Sequence, residues 1–99
     1  MELKPGRKGR AETTVTPDNT AQAVGSGLVP VFATPYMIAL MENAAVNAVQ
    51  AQLAPDEGTV GIRLDVTHDA ATPIGMKVWA EAEVTAVEGR KLTFTVTAY

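Results

Sequence analysis

Hydrophobic positions in this chain follow two periods. From Val31 to about Leu53 they recur at helical spacing, and from Thr59 onward they alternate strictly with polar residues. The helical part opens with Val31-Phe32-Ala33-Thr34-Pro35-Tyr36-Met37-Ile38-Ala39-Leu40-Met41-Glu42-Asn43-Ala44-Ala45. Thr34 followed by Pro35 is a helix-start signal. A Thr hydroxyl can cap free backbone N–H groups, and Pro suits the first helical turn. The pattern predicts a helix from Pro35 to about Leu53, ended by Ala54-Pro55-Asp56-Glu57-Gly58. Its richness in Ala, Met, Ile and Leu predicts that protein surrounds most of it. Glu42 interrupts that run, and a carboxylate so placed has to be paired, neutralised or used.

The alternating part predicts strands. Over Thr59–Ala71, one face carries Val60, Ile62, Leu64, Val66, His68 and Ala70, and the other carries Gly61, Arg63, Asp65, Thr67 and Asp69. Thr72-Pro73-Ile74-Gly75 reads as a turn. Lys77–Val87 sets Val78, Ala80, Ala82, Val84 and Ala86 against Trp79, Glu81 and Glu83. Glu88-Gly89-Arg90-Lys91 is a short hairpin connection. Leu92, Phe94, Val96 and Ala98 then alternate with Thr93, Thr95 and Thr97. Upstream, residues 10–16 have strand composition and stop at the Pro17-Asp18-Asn19 turn. Thr20–Val24 suits a short turn or helix, and Gly25-Ser26-Gly27-Leu28-Val29-Pro30 is a flexible lead-in to the main helix. The expectation is an α+β fold, with one Ala-rich helix against an antiparallel sheet whose small residues allow close wrapping.

Composition narrows the classes. At 99 residues the chain is one domain, spanning 1–99. It has no Cys and one His, so thiolate chemistry and a His-rich metal cluster are excluded, and no metal is expected. No apolar run is long enough to span a bilayer, and no signal peptide is recognisable at the start. The expectation is a soluble cytoplasmic protein with no membrane partner. Net charge is −3, yet Lys4, Arg7, Lys8 and Arg10 supply half of the 8 basic residues. That short arm reads as a solvated edge. No basic stripe interleaved with aromatics appears, so nucleic acid is not an expected partner.

Three residues could carry chemistry, and each alone has a plainer reading. His68 near a strand end could be a hydrogen-bonded core residue, Glu42 a solvated helix residue, and Thr34 an N-cap. Together they gain weight, because a helix start and a strand end can meet at one rim of a sheet.

At these positions the chain resembles a known family. Val31-Phe32-Ala33-Thr34-Pro35, Leu40-Met41-Glu42 and Val66-Thr67-His68-Asp69-Ala70-Ala71-Thr72-Pro73-Ile74-Gly75 are similar to the fluoroacetyl-CoA thioesterase family of hotdog-fold proteins. The likeness runs from about Leu3-Lys4-Pro5-Gly6 through Val87-Glu88-Gly89-Arg90-Lys91-Leu92 to the end of the chain. The resemblance implies a hotdog fold, an antiparallel sheet wrapped around one long central helix. It implies Thr34, Glu42 and His68 as the residues acting on an acyl-CoA thioester, with Gly61 backing the pocket. It also implies a homodimer or higher homo-oligomer with the site at the subunit interface, and no cofactor, CoA being part of the substrate.

The mechanism this implies uses Glu42 as nucleophile or as base for a water. His68 moves a proton to the leaving thiolate, and Thr34 orients both. Phe32, Tyr36 and Leu28 would join Gly61 around the substrate. Pro35 lacks an N–H, so the Tyr36 N–H would serve the carbonyl oxygen at the helix start. Two departures from the family stand out. Gly25 and Leu28 occupy lid positions where aromatic residues are expected, which points to a looser gate and a short or medium acyl-CoA rather than fluoroacetyl-CoA. The family's last strand, which brings an Arg, is expected beyond Tyr99, so the domain reads as C-terminally short. The competing expectations are a non-catalytic acyl-CoA or small-ligand binding module, a structural dimerisation domain, and a hydratase acting on enoyl thioesters.

Overall fold

The computed structural model describes residues 4–99. Leu3, the first residue of the Leu3-Lys4-Pro5-Gly6 likeness, lies outside the described residues. Three strands form an antiparallel sheet in the order β1-β2-β3, with β1 at Lys8–Thr14, β2 at Lys77–Glu88 and β3 at Lys91–Ala98. One long helix, α2 at Thr34–Val49, packs on a single face of that sheet, preceded by the one-turn α1 at Ala21–Val24. A 3₁₀ turn at Gln50–Gln52 continues α2 to near the expected end.

The core lies where the two periods meet. Val78, Ala80, Ala82 and Val84 of β2 point inward and are buried, as their alternation requires. Val78, Ala80 and Ala82 pack with Met37, Leu40 and Ala44 of α2 and with Ala11, Val15 and Phe32, while Val84 packs with Ala48 and Val49. Small residues let the layers approach closely. The closest approach is at Gly9, where a Cβ would fall 2.2 Å from the Ala48 amide nitrogen and 2.3 Å from the Ala44 carbonyl oxygen. The helix backbone thus lies directly on β1, and only a glycine fits there.

Local signals upstream form as read. Thr20 caps α1 by accepting a hydrogen bond from the Ala23 N–H at 3.2 Å, and Gly25 ends the turn in the left-handed region at φ +78°. Gly89 takes φ +61° in the two-residue hairpin between β2 and β3. The N-terminal arm keeps its basic side chains at the surface. Arg7 Nε donates to the Ala48 carbonyl at 3.3 Å, near the end of α2 where a cation suits the dipole.

Three expectations are corrected. The first strand covers residues 8–14 rather than 10–16. Segment 59–71 has the alternation of a strand but pairs with no strand among the described residues; Val60 is 87% exposed and Ile62 81%. Alternation decides which residues share a face, whereas a ladder also needs a neighbouring edge, and none adjoins this segment. Finally, α2 is not enclosed. Its outer face, including Tyr36, Ala39, Glu42, Asn43 and Val46, is exposed. Glu42 therefore stands at the surface, which agrees with its plainer reading as a solvated helix residue.

Candidate active site

Segment 59–71 runs along α2 and brings two of the candidate residues together. Thr34 Oγ1 and His68 Nδ1 lie 2.7 Å apart, joining positions 34 residues distant in sequence. The helix start and the strand-like segment thus converge at one rim. His68 is half-buried and Thr34 exposed, so the imidazole is both held and reachable.

The hydrogen bond changes the reading of Thr34. The N-cap is Ala33, which makes no side-chain cap, and Thr34 is already the first helical residue. Its hydroxyl is spent on His68 instead of on the helix end. With Thr34 donating, His68 is held as the Nε2–H tautomer and offers that proton outward. With Nδ1–H donating, Nε2 carries a lone pair and can act as a base. Asp69, next in sequence, accepts from the Thr67 hydroxyl at 3.0 Å, so its carboxylate is engaged there.

Free backbone donors stand close by. The first turn of a helix leaves its N–H groups without helical partners. Met37 N–H closes the first helical bond to the Ala33 carbonyl at 2.9 Å, and Pro35 has no N–H. Thr34 and Tyr36 therefore supply the first-turn donors available to a carbonyl oxygen. The Tyr36 side chain is exposed beside them.

Glu42 stands apart from this pair. It makes no hydrogen bond to Thr34 or His68 among the described residues, and it lies two turns further along α2. Its Oε2 lies 2.8 Å from the point where a Cβ on Gly61 would sit. Gly61 is thus placed beside the carboxylate, and any side chain there would displace it. One chain therefore holds two separate pairs, Thr34 with His68 and Glu42 with Gly61.

A groove of about 380 Å³ adjoins His68, between residues 65–72 and the end of β3. Its floor includes Phe32, Met37, Met41 and Val96, and its rim includes His68 and Thr97. Phe32 is 2% exposed, so it meets this groove as part of the core and not as a free surface group. Met37 and Met41 were legible only as core positions four apart on one helix face. Nothing in their spacing signals a groove, since the far wall comes from β3. Leu28 is 91% exposed in the lead-in segment and touches no part of this groove. A larger hollow of about 650 Å³ lies over the outer face of the sheet, with Lys8, Arg10, Glu83 and Thr95 around it. It holds neither His68 nor Glu42, and the chemistry favours the smaller groove. No cluster of three or more His, Asp or Glu able to hold a metal occurs among the described residues. No helix among them is long and apolar enough to cross a membrane.

Comparison with known proteins gives a consistent picture. The sequence profile of the family described as "Fluoroacetyl-CoA-specific thioesterase" matches residues 15–99. The fluoroacetyl-CoA thioesterase of Streptantibioticus cattleyicolor is 49% identical over 69 residues, which cover 70% of this chain and 50% of that protein. The chain thus spans about half the length of this curated relative. Among solved structures, a phenylalanine-to-alanine mutant of the fluoroacetyl-CoA-specific thioesterase, in complex with fluoroacetate and CoA, superposes with a TM-score of 0.90 at 37% identity. That match covers 98% of this chain and 82% of the other. A hot-dog-like protein from Thermanaerovibrio acidaminovorans has a TM-score of 0.85 at 23% identity over 97% of this chain and 71% of its own. That likeness bears on the fold alone. The hotdog architecture expected from the sequence is the one observed, with a three-stranded sheet and one long helix.

Proposed function

The chain belongs to the fluoroacetyl-CoA-specific thioesterase family, and from that premise we propose that it hydrolyses acyl-CoA thioesters with Thr34, Glu42 and His68. The observation that carries this reading is the 2.7 Å contact between Thr34 and His68, which joins two of the three residues at the helix start. The working unit is a homodimer or higher homo-oligomer, and its location is the cytoplasm, where CoA esters are made and used. CoA enters as part of the substrate, and no cofactor is called for by this chemistry.

A thioester carbonyl is already electrophilic. Hydrolysis needs an attacking group, a proton for the departing sulfur and a seat for the oxyanion. Glu42 attacks the carbonyl carbon, or removes a proton from a water that does so. A protonated His68, its Nδ1–H donating to Thr34 Oγ1 and its Nε2–H outward, gives the Nε2 proton to the CoA sulfur as the C–S bond breaks, and the neutral imidazole left behind recovers a proton from the attacking water. The Thr34 and Tyr36 N–H groups receive the oxygen as it gains charge, where preorganised donors stabilise it most. If Glu42 is the nucleophile, water then splits the acyl anhydride, returning the free carboxylate and the acid product. Gly61 leaves room beside Glu42 for the acyl group.

The substrate class is a short or medium acyl-CoA. The stretch Gly25-Ser26-Gly27-Leu28-Val29-Pro30 carries no aromatic side chain, and Leu28 and Val29 are exposed. Such a gate closes loosely and gives little discrimination for a fluorine atom. The test is free-thiol release from acetyl-, fluoroacetyl-, butyryl- and octanoyl-CoA, read with a colorimetric thiol reagent. Release from several of them, with no marked preference for fluoroacetyl over acetyl, is expected. CoA-ester binding without release from any of them would favour the binding-module reading and defeat this one.

A further inference from the structure

We infer that the hydrogen bond between Thr67 and Asp69 is a brace that holds His68 in place for the reaction, which makes Thr67 and Asp69 positioning residues. It rests on the reading of His68 as the proton donor of a thioesterase site, and it adds what keeps the imidazole there.

The place of His68 in the chain creates the need. A group that takes part in chemistry has to be held within about 0.5 Å of its productive position. A residue in a sheet gains that precision from the ladder beside it. Segment 59–71 pairs with no strand among the described residues. Between Glu57 and Thr72 they show no backbone–backbone hydrogen bond at all. The next backbone anchor is the Thr72 carbonyl, which accepts from the Phe32 N–H at 2.9 Å, with Val31 bridging Pro73 beside it. Packing upstream is sparse as well, because Val60, Ile62 and Leu64 stand largely in solvent.

Two side-chain bonds take the place of a ladder. Thr34 Oγ1 meets His68 Nδ1 at 2.7 Å and fixes the ring, provided that the backbone presents the ring to the helix start. The Thr67 hydroxyl donates to Asp69 Oδ2 at 3.0 Å. These two residues flank His68 in sequence, so their bond closes a ring of atoms that contains the His68 backbone. The φ and ψ angles of His68 cannot turn far without breaking it. A carboxylate acceptor gives the stronger, charge-assisted kind of hydrogen bond.

The pair has no other engagement. Among the described residues, Asp69 forms no ion pair, and the Thr67 hydroxyl makes no second hydrogen bond. The brace makes no call on the imidazole, which stays bonded to Thr34. Both side chains are exposed, so their bond adds little to folding stability. Its effect falls on the conformations open to His68, and hence on the rate.

Thr67→Val keeps the branched shape and removes the donor, and Asp69→Ala removes the acceptor. Each should lower kcat on butyryl-CoA about three- to tenfold, with KM and the urea midpoint unchanged. The double variant should be no slower than either single one, because both remove the same bond. Thr67→Ser and Asp69→Asn retain a donor and an acceptor and should keep the parental kcat. A parental kcat in Thr67→Val, a change confined to KM, or losses that multiply in the double variant would overturn the brace. The ring gives a second readout that needs no turnover. His68 is the only His of the chain, so its ring nitrogen NMR signals are unambiguous. With the imidazole neutral, the signals of Thr67→Val should move from the parent's toward those of Thr34→Val, in which the bond to Nδ1 is gone. Thr67→Ser should leave them in place. Thr67→Val signals that coincide with the parent's overturn the brace even if the parent hydrolyses nothing, and that inactivity by itself counts against the proposed function only.

Discussion

Thr34 shows how one hydroxyl can serve either the backbone or a distant side chain. Its sequence context, Thr before Pro, is the context of a cap, and the helix does begin there. What the sequence could not display is that His68 arrives at 2.7 Å to claim the hydroxyl. Such a contact depends on how segment 59–71 lies along α2, a tertiary fact with no local signal. Glu42 was legible as an anomaly in an apolar run, but the expectation that protein surrounds most of that helix does not hold. Helical periodicity marks an apolar helix without telling how many of its faces are covered. Two substitutions separate positioning from packing. Thr34→Val should lower kcat about 10²-fold or more by freeing the imidazole, with Thr34→Ser largely restoring it. Gly61→Ala puts a Cβ 2.8 Å from Glu42 Oε2. It should reduce thioester hydrolysis while leaving Tm nearly unchanged, because both residues are exposed. A Thr34→Val enzyme with the parental kcat, or a Gly61→Ala enzyme with parental activity, would contradict these roles.

Among the elements, β2 and β3 were the most legible. Their strict alternation and the Gly89 turn are local, and both strands pair as the pattern requires. The irregularity between Val84 and Ala86 was not legible, since a bulge leaves no mark in an alternating sequence this regular. Segment 59–71 carries an equally clear alternation and forms no ladder within the chain, because pairing needs a partner edge that alternation cannot supply. The contact of β1 with α2 is where stability is most exposed to a single atom. Gly9→Ala drives a methyl into the backbone at Ala44 and Ala48. It should cost on the order of 1–3 kcal/mol, seen as a lower urea midpoint with an unchanged m-value. At the hairpin, Gly89→Ala forces a Cβ into the left-handed region at φ +61° and should cost about 1–2 kcal/mol by the same measurement. An unchanged midpoint for Gly9→Ala would mean that strand and helix do not approach as closely as described.

For the molecule as a whole, the sheet covers α2 on one face only. The fold class was legible because two periods, helical then alternating, allow few layer arrangements for so short a chain. The separation of the Thr34–His68 pair from the Glu42–Gly61 pair was not, because it depends on how segment 59–71 lies along the helix. The surface ion pairs Lys8–Glu83 at 4.0 Å and Arg10–Glu12 at 3.4 Å lie on the outer sheet face and add little to stability. The exposed apolar residues of segment 59–71 and α2 are the larger energetic fact.

The central claim is that Glu42 and His68 carry acyl-CoA hydrolysis. The most direct measurement is the rate of free-thiol release from butyryl-CoA by the parent chain and by purified, folded Glu42→Gln and His68→Ala chains. The account expects measurable turnover by the parent and a loss of roughly 10²–10⁴-fold in each variant. Variants that release thiol as fast as the parent would contradict it.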